Sequence, residues 1–261
     1  MSGYSLRGLN WFNALSAGAV AVEGLPPSLR VADSELGRFI AVVADPDNRF
    51  PRARNGEVGL LEGWGLAKAV DDAISVDRDK AQKRPIIAIV DVPSQAYGRR
   101  EEALGIHQAL AGAADSYARA RLAGHPVIAL LVGKAMSGAF LAHGYQANRL
   151  IALRDPGVMV HAMGKASAAR VTLRSVEELE ALAASVPPMA YDIDSYASLG
   201  LLWETLSVEQ IEQPTADDLL RVNECLKQAI SDVSSTDLSN RLGAKNRAAS
   251  SKVRELLSAQ W

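Results

Sequence analysis

Three stretches of this chain are apolar almost without interruption: Phe39-Ile40-Ala41-Val42-Val43, Ile86-Ile87-Ala88-Ile89-Val90 and Val127-Ile128-Ala129-Leu130-Leu131-Val132. A strand with one wet face alternates apolar and polar residues, whereas a strand covered on both faces does not. These runs therefore predict central strands of a largely parallel sheet, with Leu150 to Leu153 and Val158 to Val160 as two shorter candidates. Between them, Leu60, Trp64, Ala67, Val70 and Ile74 recur at helical spacing, and so do Leu104, Leu110, Ala114, Tyr117 and Leu122. Strand, helix, strand, helix in this order implies crossover units with helices packed on the sheet, so the fold class is α/β.

After about Arg170 the strand pattern stops. Ser175 with Glu178, and Thr215 with Asp218, have the form of capping boxes that start helices. Leu219, Val222, Leu226 and Ile230 then mark one helical face, and Val253, Leu256 and Leu257 a shorter one beside Arg247, Lys252 and Arg254. One domain is expected over residues 1–261, with a core at about 38–171 and a helical C-terminal region at about 172–261. The polar, turn-rich segment from Ala44 to Glu62 is expected to be a long loop, a kind that is often functional. Val186-Pro187-Pro188-Met189-Ala190 is a second irregular stretch.

Charge narrows the function classes. Asp plus Glu number 30 against 28 Lys plus Arg, so no global field favours nucleic acid or an anionic membrane, and any charged binding patch must be local. The longest apolar stretches, such as Pro126 to Val132 and Ala17 to Val22, are far shorter than the roughly 18–20 residues that span a bilayer. Met1 to Gly8 lack the pattern of a secretory signal, which gives a cytoplasmic expectation. Cys225 has no partner for a disulfide within the chain and reads as a small buried hydrophobe. His107, His125, His143 and His161 show no spacing typical of zinc ligands, so no metal site is expected.

Two junctions carry the candidate chemistry. Gly133-Lys134-Ala135-Met136-Ser137-Gly138-Ala139-Phe140-Leu141-Ala142-His143-Gly144 follows a buried strand directly, and its small residues let a ligand approach the backbone just where a helix begins. The first N–H groups of a helix lack partners within it and can hold a developing oxyanion. A P-loop is excluded because Lys134 follows the first glycine, and a G-x-S-x-G elbow because Ala135 stands in place of its first glycine. Lys134-Ala135-Met136 lacks the methionine that precedes the lysine of a biotin attachment site. The second junction, Asp91-Val92-Pro93-Ser94-Gln95-Ala96-Tyr97-Gly98-Arg99-Arg100-Glu101-Glu102, lies at the carboxyl end of the preceding strand, where open α/β sheets place ligands.

Together, Asp91 to Gly98, Glu101, the helix to Leu122 and the run from His125 to Ala139 resemble the carboxyltransferase branch of the crotonase superfamily. The whole chain resembles the gamma subunits of biotin-independent malonate decarboxylases. The resemblance implies a crotonase-like ββα superhelix with a helical C-terminal region, a beta subunit of the same fold and an acyl carrier subunit as partners, and an acyl-carrier transferase subunit in the complex. It implies that malonyl, borne as a thioester on a phosphopantetheine-like, dephospho-CoA-derived arm of the carrier, loses CO2 to leave an acetyl thioester. No cofactor would be bound by this chain itself. By position, the family's oxyanion hole maps onto backbone donors of Ser94-Gln95 and Gly138-Ala139, with Ala96, Gly98, Gly133 and Ser137 expected along the substrate. Ser94 and Ala139 stand where glycines are usual, and both leave the N–H in place.

Decarboxylation needs no nucleophile from the enzyme, but a group or water must protonate the carbanion; Tyr97 and His161 are the candidate donors. Two other readings stay open. The chain can be a non-catalytic subunit that completes a partner's site, or, since Gly133 to Leu141 also resembles the nucleophile turn of caseinolytic-type serine peptidases, Ser137 can be a nucleophile.

Overall fold

In the computed structural model, which describes residues 4–234, 238–242 and 244–261, the apolar runs form the centre of an eight-stranded sheet. The strands are β1 (Val20–Ala21), β2 (Leu29–Asp33), β3 (Arg38–Val42), β4 (Ile86–Val92), β5 (Val127–Met136), β6 (Arg149–Leu153), β7 (Met159–His161) and β8 (Glu204–Leu206). Their order is β1-β2-β3-β4-β5-β6-β8, with β7 paired to β5. β3 to β6 and β8 run parallel, whereas β1 and β2 add an antiparallel edge. β3, β4 and β6 are buried along their whole length, as uninterrupted apolar runs require.

Helices cover the sheet. α1 (Arg7–Leu15) buries Trp11 and Phe12 in the core, and α2 (Leu60–Val76) packs against α4 (Ile106–Leu122), which follows the short α3 (Arg99–Ala103). α5 (Ser137–Ala142) comes directly after β5. The C-terminal region holds α6 (Lys165–Val171), α7 (Val176–Ala183), α8 (Ile193–Ser198), α9 (Ala216–Ser231) and α10 (Ala248–Ser258). Both capping boxes are present: Ser175 and Thr215 accept from the N–H groups of Glu178 and Asp218, starting α7 and α9.

Three expectations need correction. Strands do not end near Arg170, because β8 extends the sheet beside β6, with Ile151 opposite Glu204. Three residues with one charged member leave too short a pattern to read. Of the face drawn through Leu104, Leu110, Ala114, Tyr117 and Leu122, Tyr117 is buried as expected, but Leu104 and Leu122 are exposed, and α4 buries Ile106, Ala109, Ala113 and Ala120 beside the tyrosine. Small alanines let α2 and α4 approach closely, so the packed face is not the most hydrophobic one. The same contact leaves Trp64 on the outside, against Gly112.

The feature that sets up the site is a break between β4 and β5. Val90 lies opposite Leu131, but Val92 lies opposite Ala135, so β5 carries two extra residues at this point. The Asp91 side chain fills the break. Its carboxylate accepts the Lys134 N–H of β5 at 3.1 Å, where the ladder is interrupted, and the first-turn Gly8 N–H of α1 at 3.2 Å. Beyond it, β5 leaves β6 and pairs through Lys134 to Met136 with β7.

Candidate active site

β5 ends at Met136 and α5 begins at Ser137 with no connecting residue. Ser137 takes up the reversal with φ of +57°, a left-handed conformation that costs a residue with a side chain roughly 1–3 kcal/mol and recurs at functional sites. The next N–H, that of Gly138, lies in the first turn of α5, where it has no partner within the helix. It donates instead to Oε1 of Gln95 at 3.1 Å. The two junctions singled out in the sequence therefore meet at one hydrogen bond.

Gln95 is held there by the long loop before α2. Val58 N–H donates to Ser94 O at 3.0 Å, and Ala96 N–H donates to Val58 O at 2.8 Å, so residues 94–96 form a one-residue strand pairing with Val58. In such a pairing the groups of the middle residue face the opposite edge. Of the loop's donors, Ala96 N–H is thus spent on Val58 O, and Tyr97 N–H on Gln95 O at 2.9 Å. The loop itself is anchored by buried Glu62, which accepts from Ser28 Oγ, Asn48 Nδ2 and Gly59 N–H.

Gly138 also lines a largely apolar cavity of about 490 Å³, together with Ser137, Leu141, Tyr145, His161 and the Pro187-Pro188 turn, among others. The β5–β7 register brings His161 there by placing it opposite Met136. Its ring stacks on Tyr191 with centroids 3.9 Å apart, and Nδ1 lies 2.8 Å from Met163 O and 3.0 Å from Met163 N. Nε2 has no protein partner among the described residues. Partial burial pulls the imidazole below its ordinary pKa, against the opposing effect of the Met163 hydrogen bond.

The remaining candidates divide. Ala139 is fully buried at the third position of α5, and Ser94 lies beside Gln95. Tyr97 is 46% exposed, under the guanidinium of Arg52 at 4.1 Å, and is not part of the cavity that His161 lines. Two glycines expected along the substrate have internal reasons instead. A Cβ on Gly133 would stand 2.1 Å from Asp91 Oδ1, and one on Gly98 would stand 2.3 Å from Glu101 Oε2. Ala96, also expected there, belongs to a buried cluster with Phe50 and Ile106. Ser137 Oγ makes no hydrogen bond to any histidine among the described residues, so the nucleophile-base contact of a serine peptidase is not made.

Sequence reasoning did not assign His143 its part. It caps α5, is fully buried, and links three elements: Nδ1 lies 3.0 Å from Tyr117 Oη on α4 and Nε2 lies 2.9 Å from Ile89 O on β4. Burial brings its pKa down to about 4, so it is neutral at pH 7. Nε2 must then carry the proton to donate to the carbonyl, and Nδ1 accepts from the tyrosine. The cavity wall formed by Pro187 and Pro188 was visible only as an irregular stretch.

Residues 53–261 match the family model described as malonate decarboxylase gamma subunit, MdcE. The chain belongs to this family. It is 72% identical to a chain in the crystal structure of a Pseudomonas malonate decarboxylase hetero-tetramer in complex with coenzyme A, covering 98% of this chain and 99% of that one with a TM-score of 0.94. A malonyl-S-ACP:biotin-protein carboxyltransferase of Malonomonas rubra is 38% identical over 169 residues, 64% of this chain. This chain spans 57% of that relative's length. The transcarboxylase 12S structure, at 20% identity and a TM-score of 0.63 over 88% of this chain and 41% of that one, shares the fold. The crotonase-like fold expected from the sequence is thus present. No helix among the described residues is long and apolar enough to cross a membrane.

Proposed function

We propose that this chain acts with a beta subunit to decarboxylate malonyl held as a thioester on an acyl carrier subunit, using backbone N–H groups at the Ser137-Gly138 elbow. The observation that carries this reading is the 3.1 Å bond from Gly138 N–H to an amide oxygen of Gln95. That donor is already aimed at an oxygen acceptor beside a largely apolar cavity, and a thioester oxygen that displaces Gln95 Oε1 inherits it. Membership of the family and the likeness to a chain of the Pseudomonas hetero-tetramer support the two-subunit form.

The chemistry is economical. The bond between the methylene carbon and the carboxylate breaks, CO2 leaves, and the electron pair moves into the thioester as an enolate. Charge grows on the thioester oxygen, so a hydrogen bond to it strengthens toward the transition state and lowers the barrier. A neutral amide oxygen binds such a donor less strongly than an enolate oxygen does. Exchange of the two therefore favours the transition state over the resting site. The carbanion then takes a proton to give the acetyl thioester, with His161, which lines the same cavity as Gly138, as the favoured candidate relay and Tyr97, which does not line it, as the second.

Neither a metal nor biotin has a part in this scheme. The test is turnover of malonyl thioester by the isolated chain, by the beta subunit and by their complex. Activity confined to the complex, and unaffected by avidin, is expected; full activity of the isolated chain would remove the two-subunit reading.

A further inference from the structure

The candidate relay is held by an aromatic neighbour to which the proposed reaction gives no task. Tyr191 is buried, and its segment is clipped to β7, the strand that carries His161. Val160 N–H donates to Tyr191 O at 3.1 Å, and Met159 stands opposite Asp192 in an antiparallel bridge. The phenol ring lies on the imidazole, with centroids 3.9 Å apart and planes 14° from parallel. Its hydroxyl donates to Met163 O at 2.8 Å. Backbone, ring and hydroxyl thus fix this side chain at three points, and burial raises the phenol pKa, which keeps the hydroxyl a donor at neutral pH.

Met163 is also the residue that meets the imidazole. Nδ1 lies 3.0 Å from its N and 2.8 Å from its carbonyl oxygen, and in a neutral ring Nδ1 either accepts from the first or donates to the second. The two choices are not equal. The carbonyl already has a donor in Tyr191, whereas the N–H has no other protein acceptor among the described residues. An Nδ1 lone pair therefore completes the set, and the ring proton goes to Nε2. No carboxylate forms an ion pair with His161 among the described residues; Lys165 has Nζ 5.4 Å from the Tyr191 centroid and is itself paired with Glu180 at 2.7 Å. The other ionisable rings lining the cavity are the phenols of Tyr145 and Tyr196. We infer that Tyr191 is a positioning residue: its ring fixes the plane of His161, and its hydroxyl, by occupying Met163 O, keeps the imidazole proton on Nε2, the nitrogen left to the cavity. A ligand there then meets an N–H whether the ring is neutral or charged, so a neutral His161 can already hydrogen-bond a developing enolate. This rests on the proposed role of His161 and adds what sets its tautomer.

The test reads ring nitrogens and turnover separately. The full chain with isotope-labelled histidine rings is followed by NMR at a pH well above 6.5, and His161→Asn assigns the signal among the four histidines. Neutral His161 is expected as the Nε2–H tautomer. Tyr191→Phe keeps the stack and removes only the hydroxyl, and it should raise the ratio of Nδ1–H to Nε2–H about fivefold, the factor that one net hydrogen bond sets. In the complex with the beta subunit, Tyr191→Leu should lower kcat for malonyl-N-acetylcysteamine, a small malonyl thioester, roughly tenfold with KM within about twofold, and Tyr191→Phe should restore most of it. An Nδ1–H tautomer in the wild type overturns the inference, and so does a ratio that Tyr191→Phe leaves unmoved. A Tyr191→Leu complex with wild-type kcat overturns it too, when His161→Asn has lost its activity. Because the tautomer is read apart from turnover, a tautomer that depends on Tyr191 in a complex whose kcat is indifferent to His161→Asn would refute the relay and leave the hold of Tyr191 on the ring standing.

Discussion

Met136 and His161 face each other across the β5–β7 ladder, which puts the imidazole beside the residue that immediately precedes the Ser137 elbow. This pairing exists only because β5 outruns β6 and takes a second partner after the Asp91 bulge. The position of the candidate proton relay is therefore a consequence of sheet topology, and it links the elbow and the histidine rigidly.

If His161 supplies the proton as imidazolium, its state must appear in the pH profile. Burial lowers its pKa below 6.5, so the charged acid is present in acid solution and is lost as pH rises through that lowered value. The kcat of the complex should then fall across a limb centred below pH 6.5, and His161→Asn should lower kcat by roughly 10²-fold and abolish the limb. The same limb in the variant would assign the proton to another group or to water.

Ser137 separates two enzyme classes. The proposed decarboxylation gives its hydroxyl no part, and Ser137→Ala retains the backbone donor, so turnover should drop less than about tenfold. A triad serine, by contrast, loses activity by many orders of magnitude. Measuring turnover of Ser137→Ala together with fluorophosphonate labelling of the wild type tells these apart. Labelling at Ser137 with near-total loss of turnover would make it a nucleophile.

His143 gives the stability of the fold a pH dependence of known sign. With a native pKa of about 4 against 6.5 unfolded, the unfolded chain binds more protons between these values, so stability rises with pH across this window. The contribution is complete above pH 6.5 and is lost as pH falls toward 4, by roughly 3 kcal/mol at most. Urea midpoints between pH 7 and 4.5 should show this slope, and His143→Gln should flatten it. An equal slope in the variant would mean that other groups carry it.

How much of this was legible beforehand depends on the range of each interaction. Apolar runs and capping boxes are local, and they announced β3, β4, β5, α7 and α9 directly. The elbow at Ser137-Gly138 was readable because a strand pattern meets small residues there. The partner of Gly138 was not, since Gln95 is 43 residues away and acts through its side chain where backbone was expected. Gly133 looked like an approach for ligand, yet it makes room for Asp91, a contact that nothing near Gly133 in the sequence signals. His161 sits in an apolar run that suits a core residue, and only the change of strand partner along β5 brings it to the cavity.

The central claim is that the Gly138 N–H stabilises the enolate, and it can be tested by removing that hydrogen alone. Replacing Gly138 by glycolic acid turns one amide into an ester. It leaves the α5 ladder intact, because a first-turn N–H has no partner in its own helix. The experiment measures kcat for malonyl thioester in the complex with the beta subunit. The account predicts a loss of roughly 10²–10³-fold, the usual cost of one oxyanion donor. Turnover within about threefold of the wild type, in an ester variant that still folds and assembles, would contradict it.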